Sequence, residues 1–136
     1  WLPPGFTGSK MIPFLLNGGI DLIACYGIDI ISRLLVYETY AMKLKKKYTE
    51  NRDWYLYNLS VSKKAQGKGI ATKLLRPMLD FCDKENVVCY LETTKQSNVS
   101  LYEHFEFNMS EQGLIPKSDV MHYAMTRKTV SVHSGN

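Results

Sequence analysis

Val61-Ser62-Lys63-Lys64-Ala65-Gln66-Gly67-Lys68-Gly69-Ile70-Ala71-Thr72 is the stretch around which the rest of the chain is organised. Upstream of it, Trp54-Tyr55-Leu56-Tyr57-Asn58-Leu59-Ser60-Val61 is rich in aromatic and β-branched residues and follows the polar run Thr49 to Asp53, which predicts a strand. Downstream, Ile70, Ala71, Leu74, Leu75, Met78, Leu79 and Cys82 recur at helical spacing, so an amphipathic helix is expected to start directly behind the glycines. The stretch is therefore a strand-to-helix turn. Gly67 and Gly69 let its backbone take positive φ and approach a ligand closely. The first turn of the following helix offers unpaired amides and the positive end of the helix dipole, a phosphate site that needs no cationic side chain, and Lys68 adds charge to it.

Two familiar phosphate loops fail against these letters. A Walker A loop needs Gly where Ser62 stands and Ser or Thr where Gly69 stands, and the dinucleotide fingerprint needs a third Gly where Thr72 stands. What Gln66-Gly67-Lys68-Gly69-Ile70-Ala71 does match is Gln/Arg-x-x-Gly-x-Gly/Ala, and so it resembles the acetyl-CoA pyrophosphate loop of the GNAT superfamily of N-acetyltransferases. The resemblance continues through Tyr90-Leu91-Glu92-Thr93-Thr94, which looks like the family's next strand. It extends to Asn98-Val99-Ser100-Leu101-Tyr102-Glu103-His104-Phe105-Glu106-Phe107, which looks like its Asn…Leu-Tyr-Glu-x-x-Gly-Phe helix. Trp1-Leu2-Pro3-Pro4-Gly5 and Asp53-Trp54-Tyr55-Leu56-Tyr57 are similar to a branch carrying Trp-Leu-Pro-Pro-Gly ahead of its core. The likeness is close over 54–128 and weak before it. A full GNAT domain has further strands and helices before the Trp-Leu-Pro-Pro-Gly segment; the chain starts at Trp1 and not Met, so these are expected in a preceding region or replaced by another chain, as in a homodimer.

The 136 residues suit one domain with a core, here 1–128, followed by a polar tail 129–136. Apolar content of 45% and charged content of 22% are ordinary for a globular protein and select no function. The net charge of +4 suits an acidic ligand such as CoA, but the excess gathers at Lys43, Lys45, Lys46 and Lys47, as at a solvated helix end. Nucleic acid is not expected, because no basic surface interleaved with aromatics is visible beyond that cluster. Three cysteines, Cys25, Cys82 and Cys89, give neither a disulfide framework nor Cys-x-x-Cys spacing, and a reducing cytoplasm is the natural reading. His104, His122 and His133 lack metal-like spacing and read as structural or surface residues, so no metal is expected. The apolar region Ile12 to Tyr37 is interrupted by Asn17, Asp21, Asp29 and Arg33, which argues against a membrane span.

Along the chain, Ser9 is expected to cap a short helix through Leu16, closed by Asn17-Gly18-Gly19. Ile20 to Tyr26 is apolar with no clear period, whereas Ile30, Leu34, Tyr37, Ala41, Leu44 and Tyr48 predict a long amphipathic helix from near Asp29. Pro77 should disturb the helix after the central turn, which ends at Asp83-Lys84-Glu85-Asn86. Val87-Val88-Cys89-Tyr90-Leu91 then reads as a buried strand. Strand, helix and strand over about forty residues make a right-handed βαβ unit with parallel strands. Ser97 or Asn98 is expected to cap a short helix to Phe105, and Phe107 to Glu111 and Val120 to Thr126 to form two antiparallel strands. The fold class is α/β, a GNAT-like mixed sheet flanked by helices.

The resemblance implies direct transfer of acetyl from acetyl-CoA to a primary amine of a small molecule or peptide. Gln66, Gly67, Lys68, Gly69, Ile70, Ala71 and Thr72 would hold the pyrophosphate, and Leu59, Ser60 and Val61 would offer backbone groups to the pantetheine arm. Asn98 and Tyr102 share a helix face beside the thiol, with Tyr102 as the proton donor to the thiolate. Glu92, ending the second strand at the cleft, would accept the amine's proton. The alternative from another class is a CoA-binding module without catalysis, acting as a sensor or structural partner.

Overall fold

The computed structural model of the chain describes residues 1–6 and 18–128. In chain order it forms α1 (Ile20–Tyr26), α2 (Asp29–Tyr48), β1 (Trp54–Leu56), α3 (Ile70–Glu85), β2 (Cys89–Thr93), α4 (Gln96–Glu103), β3 (Asn108–Leu114) and β4 (Met121–Arg127). The short helix expected from Ser9 to Leu16 and the tail from Thr129 lie outside the described residues. The strands form one mixed sheet in the order β1-β2-β4-β3. β1 and β2 are parallel, as a crossover through α3 demands, and β4 runs antiparallel to both β2 and β3.

The sheet has two covered faces. On one, α3 and α4 bury Leu75, Leu79, Cys82, Val99 and Tyr102 against Leu56, Cys89, Leu91, Tyr123 and Met125. On the other, α2 lays Leu44, with Tyr40 and Tyr48, over Tyr90 and Ala124. Alternation along β2 explains the division, because successive side chains of a strand point to opposite faces. Of the stripe predicted for α2, Leu34 is exposed, so only the C-terminal part of that helix is seated on the sheet. There Lys47 Nζ and Tyr48 Oη both donate to Glu111 Oε2, at 2.6 and 2.7 Å, and join the helix end to β3.

Several boundaries differ from the sequence expectation. The strand predicted over 54–61 is ordered as a strand only to Leu56, which is its last buried side chain; Tyr57, Asn58 and Ser60 are exposed and have no apolar face to hold them in the sheet. The second strand starts two residues late because the amides of Val87 and Val88 are taken elsewhere, by Cys82 O at the helix end and by Asp53 Oδ1. Asp53 also accepts from the Glu50 amide at 2.7 Å, so one buried carboxylate fixes the entries to both parallel strands. Pro77 does not interrupt α3; it stands on the exposed face, where the carbonyl left without an intrahelical donor is open to water. α4 begins at Gln96 with no side-chain cap, so neither Ser97 nor Asn98 has the expected capping role, and Ile20 to Tyr26 resolves as a helix.

Glu106 occupies the glycine position of the Leu-Tyr-Glu-x-x-Gly-Phe pattern and takes the left-handed conformation that glycine would favour, φ +67°. A non-glycine residue there costs about 1–2 kcal/mol. Its carboxylate is paired with Arg127 Nη2 at 2.9 Å, in a group that also joins Arg127 to Asp83 of α3. β3 extends further into the connection than predicted, to Leu114 rather than Glu111, whereas β4 starts one residue late at Met121, and a bulge at Ser110 shifts the register between Met109 and Glu111.

Candidate active site

The ladder between β1 and β2 ends at Leu56 opposite Leu91, but β2 continues to Thr93 along β4. Beyond Leu56 the chain leaves its parallel neighbour, and the gap is a cleft of about 230 Å³ lined by Tyr37, Tyr57, Asn58, Leu59, Glu92, Thr93, Asn98 and Tyr102, among others. It opens at the carboxyl ends of the parallel strands, where α/β sheets generally bind ligands. A larger recess of about 440 Å³ lies at the other end of the strands. There Lys47, Arg52 and Lys128 are interspersed with Glu50 and Asp53, and no residue of the glycine turn lines it. The smaller cleft is therefore the candidate site.

The central turn has the geometry its letters predict. Lys63–Ala65 form one 3₁₀ turn, Gly67 and Gly69 have φ +74° and +70°, and α3 begins at Ile70 with Gly69 as an N-cap that supplies no side-chain acceptor. The first-turn amides of Ile70, Ala71 and Thr72 precede the first intrahelical bond, from Lys73 N–H to Gly69 O at 3.1 Å. Gln66, Gly67, Lys68 and Gly69 are exposed, and a Cβ built on either glycine would meet no heavy atom within 4 Å. Gln66 turns back instead, donating from Nε2 to Val61 O at 3.1 Å and closing the loop on itself. Leu59 packs on the core while Ser60 is exposed, so the residues before the turn have one side chain anchored and their backbone outside any ladder.

Asn98 and Tyr102 both face the cleft from α4. Asn98 is held by its Nδ2 donating to Thr93 Oγ1 at 3.2 Å, the same oxygen that accepts the Lys95 amide where α4 begins. Tyr102 is buried, with its ring edge-on to Phe107 at 5.9 Å between centroids, and burial raises its phenol above the ordinary range and keeps the proton on oxygen. Glu92 enters from the opposite face of the sheet. Its side chain is 2% exposed, and it accepts hydrogen bonds from Tyr90 Oη at 2.7 Å and Tyr55 Oη at 3.1 Å. Burial and then the Glu92 charge push Tyr37 up to about 12, and the same two causes raise Tyr55 and Tyr90 still further. Sequence reasoning missed Tyr37 and His122. Tyr37 comes from a helix far upstream, and His122 sits wholly buried behind Glu92 with its Nε2 3.6 Å from Oε2. His122 lay on an ordinary alternating strand, so spacing carried no signal for it.

The sequence model of the Acetyltransferase (GNAT) family matches residues 15–107, more than half of the chain. The chain belongs to the GNAT family. Among curated proteins, this GNAT chain is 41% identical over 70 residues to an uncharacterized N-acetyltransferase of Schizosaccharomyces pombe; the match covers 52% of the chain and 28% of that relative's length. Among solved structures, arylalkylamine N-acetyltransferase 2 from Aedes aegypti superposes with a TM-score of 0.56 at 16% identity, covering 93% of this chain and 64% of that one. The ribosomal-protein-S18-alanine N-acetyltransferase from Escherichia coli matches with a TM-score of 0.48 at 20% identity, over 60% of this chain and 58% of its own. The first of these structures bears out the mixed GNAT sheet with flanking helices. Among the described residues there is no cluster of three or more side chains able to hold a metal ion, and no helix is long and apolar enough to cross a membrane.

Proposed function

We propose that this GNAT chain is an acetyl-CoA-dependent N-acetyltransferase that moves acetyl directly to a primary amine of a small molecule or peptide, with no metal and no covalent enzyme intermediate. The observation that carries the reading is the cleft where β1 and β2 part, because it brings Asn98 and Tyr102 from one face of the sheet and Glu92 from the other into one space. The turn at Gln66–Thr72 supplies amides and Lys68 for the pyrophosphate, and the unladdered backbone from Leu59 to Val61 supplies hydrogen bonds for the pantetheine arm. Acyl transfer needs the amine as a free base and the departing thiolate as an acid's partner. Glu92 accepts a proton from the entering ammonium; the nitrogen lone pair forms the N–C bond; the C–S bond breaks with its electrons on sulfur, and Tyr102 protonates the thiolate.

The reading is tested by adding CoA and then acetyl-CoA with a panel of polyamines, aminoglycosides, amino acids and lysine peptides. Thermal stabilisation by CoA together with free-thiol release for at least one amine is the expected result. Stabilisation without thiol release from any amine would replace catalysis with the non-catalytic CoA-binding module, and no stabilisation at all would remove the cofactor site.

A further inference from the structure

His122 is 0% exposed, and neither of its ring nitrogens has a hydrogen-bond partner. Polar groups so deeply buried are nearly always paired, and an imidazole kept only to fill space would be replaced at no loss by an apolar ring. Its surroundings narrow what it does. Tyr40 and Tyr37 of α2 pack edge-on against the ring, at 5.2 and 6.0 Å between centroids, and wall it from solvent. The polar group that approaches it is Glu92, 3.6 Å from Nε2, which is ion-pair range and slightly longer than a hydrogen bond. Glu92 lines the cleft and His122 does not, so the imidazole reaches the site only through that carboxylate.

We propose that His122 is the positioning partner of Glu92, taking over the proton that Glu92 removes from the acceptor ammonium and so returning the carboxylate to its charged form before acetyl transfer. The inference rests on the N-acetyltransferase reading of the cleft. In that reading the nitrogen gives up two protons. One leaves before attack, passing to Glu92 and on to His122 Nε2, and it returns through Glu92 to solvent in the emptied cleft after product departs. The other leaves as the N–C bond forms and the C–S bond breaks, and it replaces in net the proton that Tyr102 delivers to the thiolate. Tyr55 and Tyr90 both donate to Glu92 and hold its carboxylate in place between them, with the imidazole as the further proton acceptor behind it. The groups that bear on the pair are Tyr90 beside Glu92 on β2, Tyr55 of β1, Tyr57 beyond it, Tyr37 and Tyr40 of α2 and, through Tyr40, Lys47 and Glu111. Raised as they are, Tyr37, Tyr40, Tyr55 and Tyr90 stay neutral through the working pH range, leaving Glu92 and His122 as the pair that exchanges a proton there.

Two measurements decide it. In the first, the labelled wild-type chain is titrated by NMR without substrate, following the His122 ring nitrogens and the Glu92 carboxyl carbon. Movement of both over one shared pH interval, with the His122 interval displaced in Glu92→Gln, is expected of a coupled pair. Separate intervals, or a His122 response indifferent to Glu92→Gln, would overturn the proposal. In the second, kcat and KM are measured against pH with acetyl-CoA and phenethylamine. His122→Gln should lower kcat at least tenfold, leave KM for acetyl-CoA within threefold, and displace the acid limb of the profile. A His122→Gln variant with kcat within threefold and an unmoved acid limb would make the histidine structural. If the wild type acetylates no amine, the N-acetyltransferase reading falls, and the NMR titration still decides whether Glu92 and His122 share a proton.

Discussion

Gly69→Val is the substitution that separates the central turn's two jobs. At φ +70° the position costs an L-residue about 1–2 kcal/mol, toward the upper end for a β-branched side chain. No steric term is added, since a Cβ there meets nothing within 4 Å. For a domain of this size that strain lowers Tm by about 4–8 °C and leaves the protein folded. The ligand loses more. The valine side chain fills the open space in front of the first-turn amides of α3, where the pyrophosphate would sit, and one lost charge-assisted hydrogen bond weakens binding by about 10–150-fold. The control is Gly27→Val, between α1 and α2, where φ is +80° and the Cβ also meets nothing within 4 Å. Because its ψ of 171° lies in a region almost reserved to glycine, it should show at least as large a loss of Tm, with CoA affinity unchanged. Calorimetry with CoA and thermal melts by circular dichroism measure both quantities. A folded Gly69→Val chain that binds CoA within threefold of wild type, or a Gly27→Val chain that loses affinity equally, would refute the assignment of the pyrophosphate to this turn.

Tyr102→Phe keeps the ring packed on Phe107 and removes only the hydroxyl, so kcat should fall at least tenfold with CoA affinity intact, toward the low end of the roughly 10²–10⁴-fold range for general acids because a thiolate leaves readily; a kcat within threefold would clear Tyr102 of that role. Asp53→Ala removes the shared acceptor of the Glu50 and Val88 amides, leaving two donors unsatisfied at the start of β1 and β2. Urea unfolding should show a loss of about 2–5 kcal/mol, and a loss below about 1 kcal/mol would mean that water replaces the carboxylate. The raised phenols of Tyr37, Tyr55 and Tyr90 make stability fully present below the unfolded tyrosine value near 10 and lost as pH rises toward the folded value, about 12 for Tyr37. Urea midpoints should therefore fall from pH 10 upward, less steeply in Tyr37→Phe, and identical slopes in the two proteins would contradict the burial of that phenol.

The turn at residues 61–72 could be read from letters alone because its chemistry is local. Two glycines at fixed offsets, a helical stripe directly behind them and an aromatic strand ahead leave one backbone solution, and the βαβ crossover follows from strand, helix and strand in sequence. The same holds for Asn98 and Tyr102, which share a face because a helix has a fixed period. What the letters could not carry is distance across the sheet. β1 stops at Leu56 rather than Val61 because burial ends there, and that early parting is what opens the cleft. Cys89, not Val87, begins β2 because Asp53 captures the Val88 amide, a contact between residues 35 positions apart. Glu92 looked like a carboxylate at an open strand end; tertiary packing buries it under two tyrosine hydroxyls and against a histidine 30 residues away in sequence. Patterning along a strand reports which face a side chain takes, while its partners on that face come from other elements. For Glu92 the decisive ones, His122 and Tyr37, are brought in by β4 and α2.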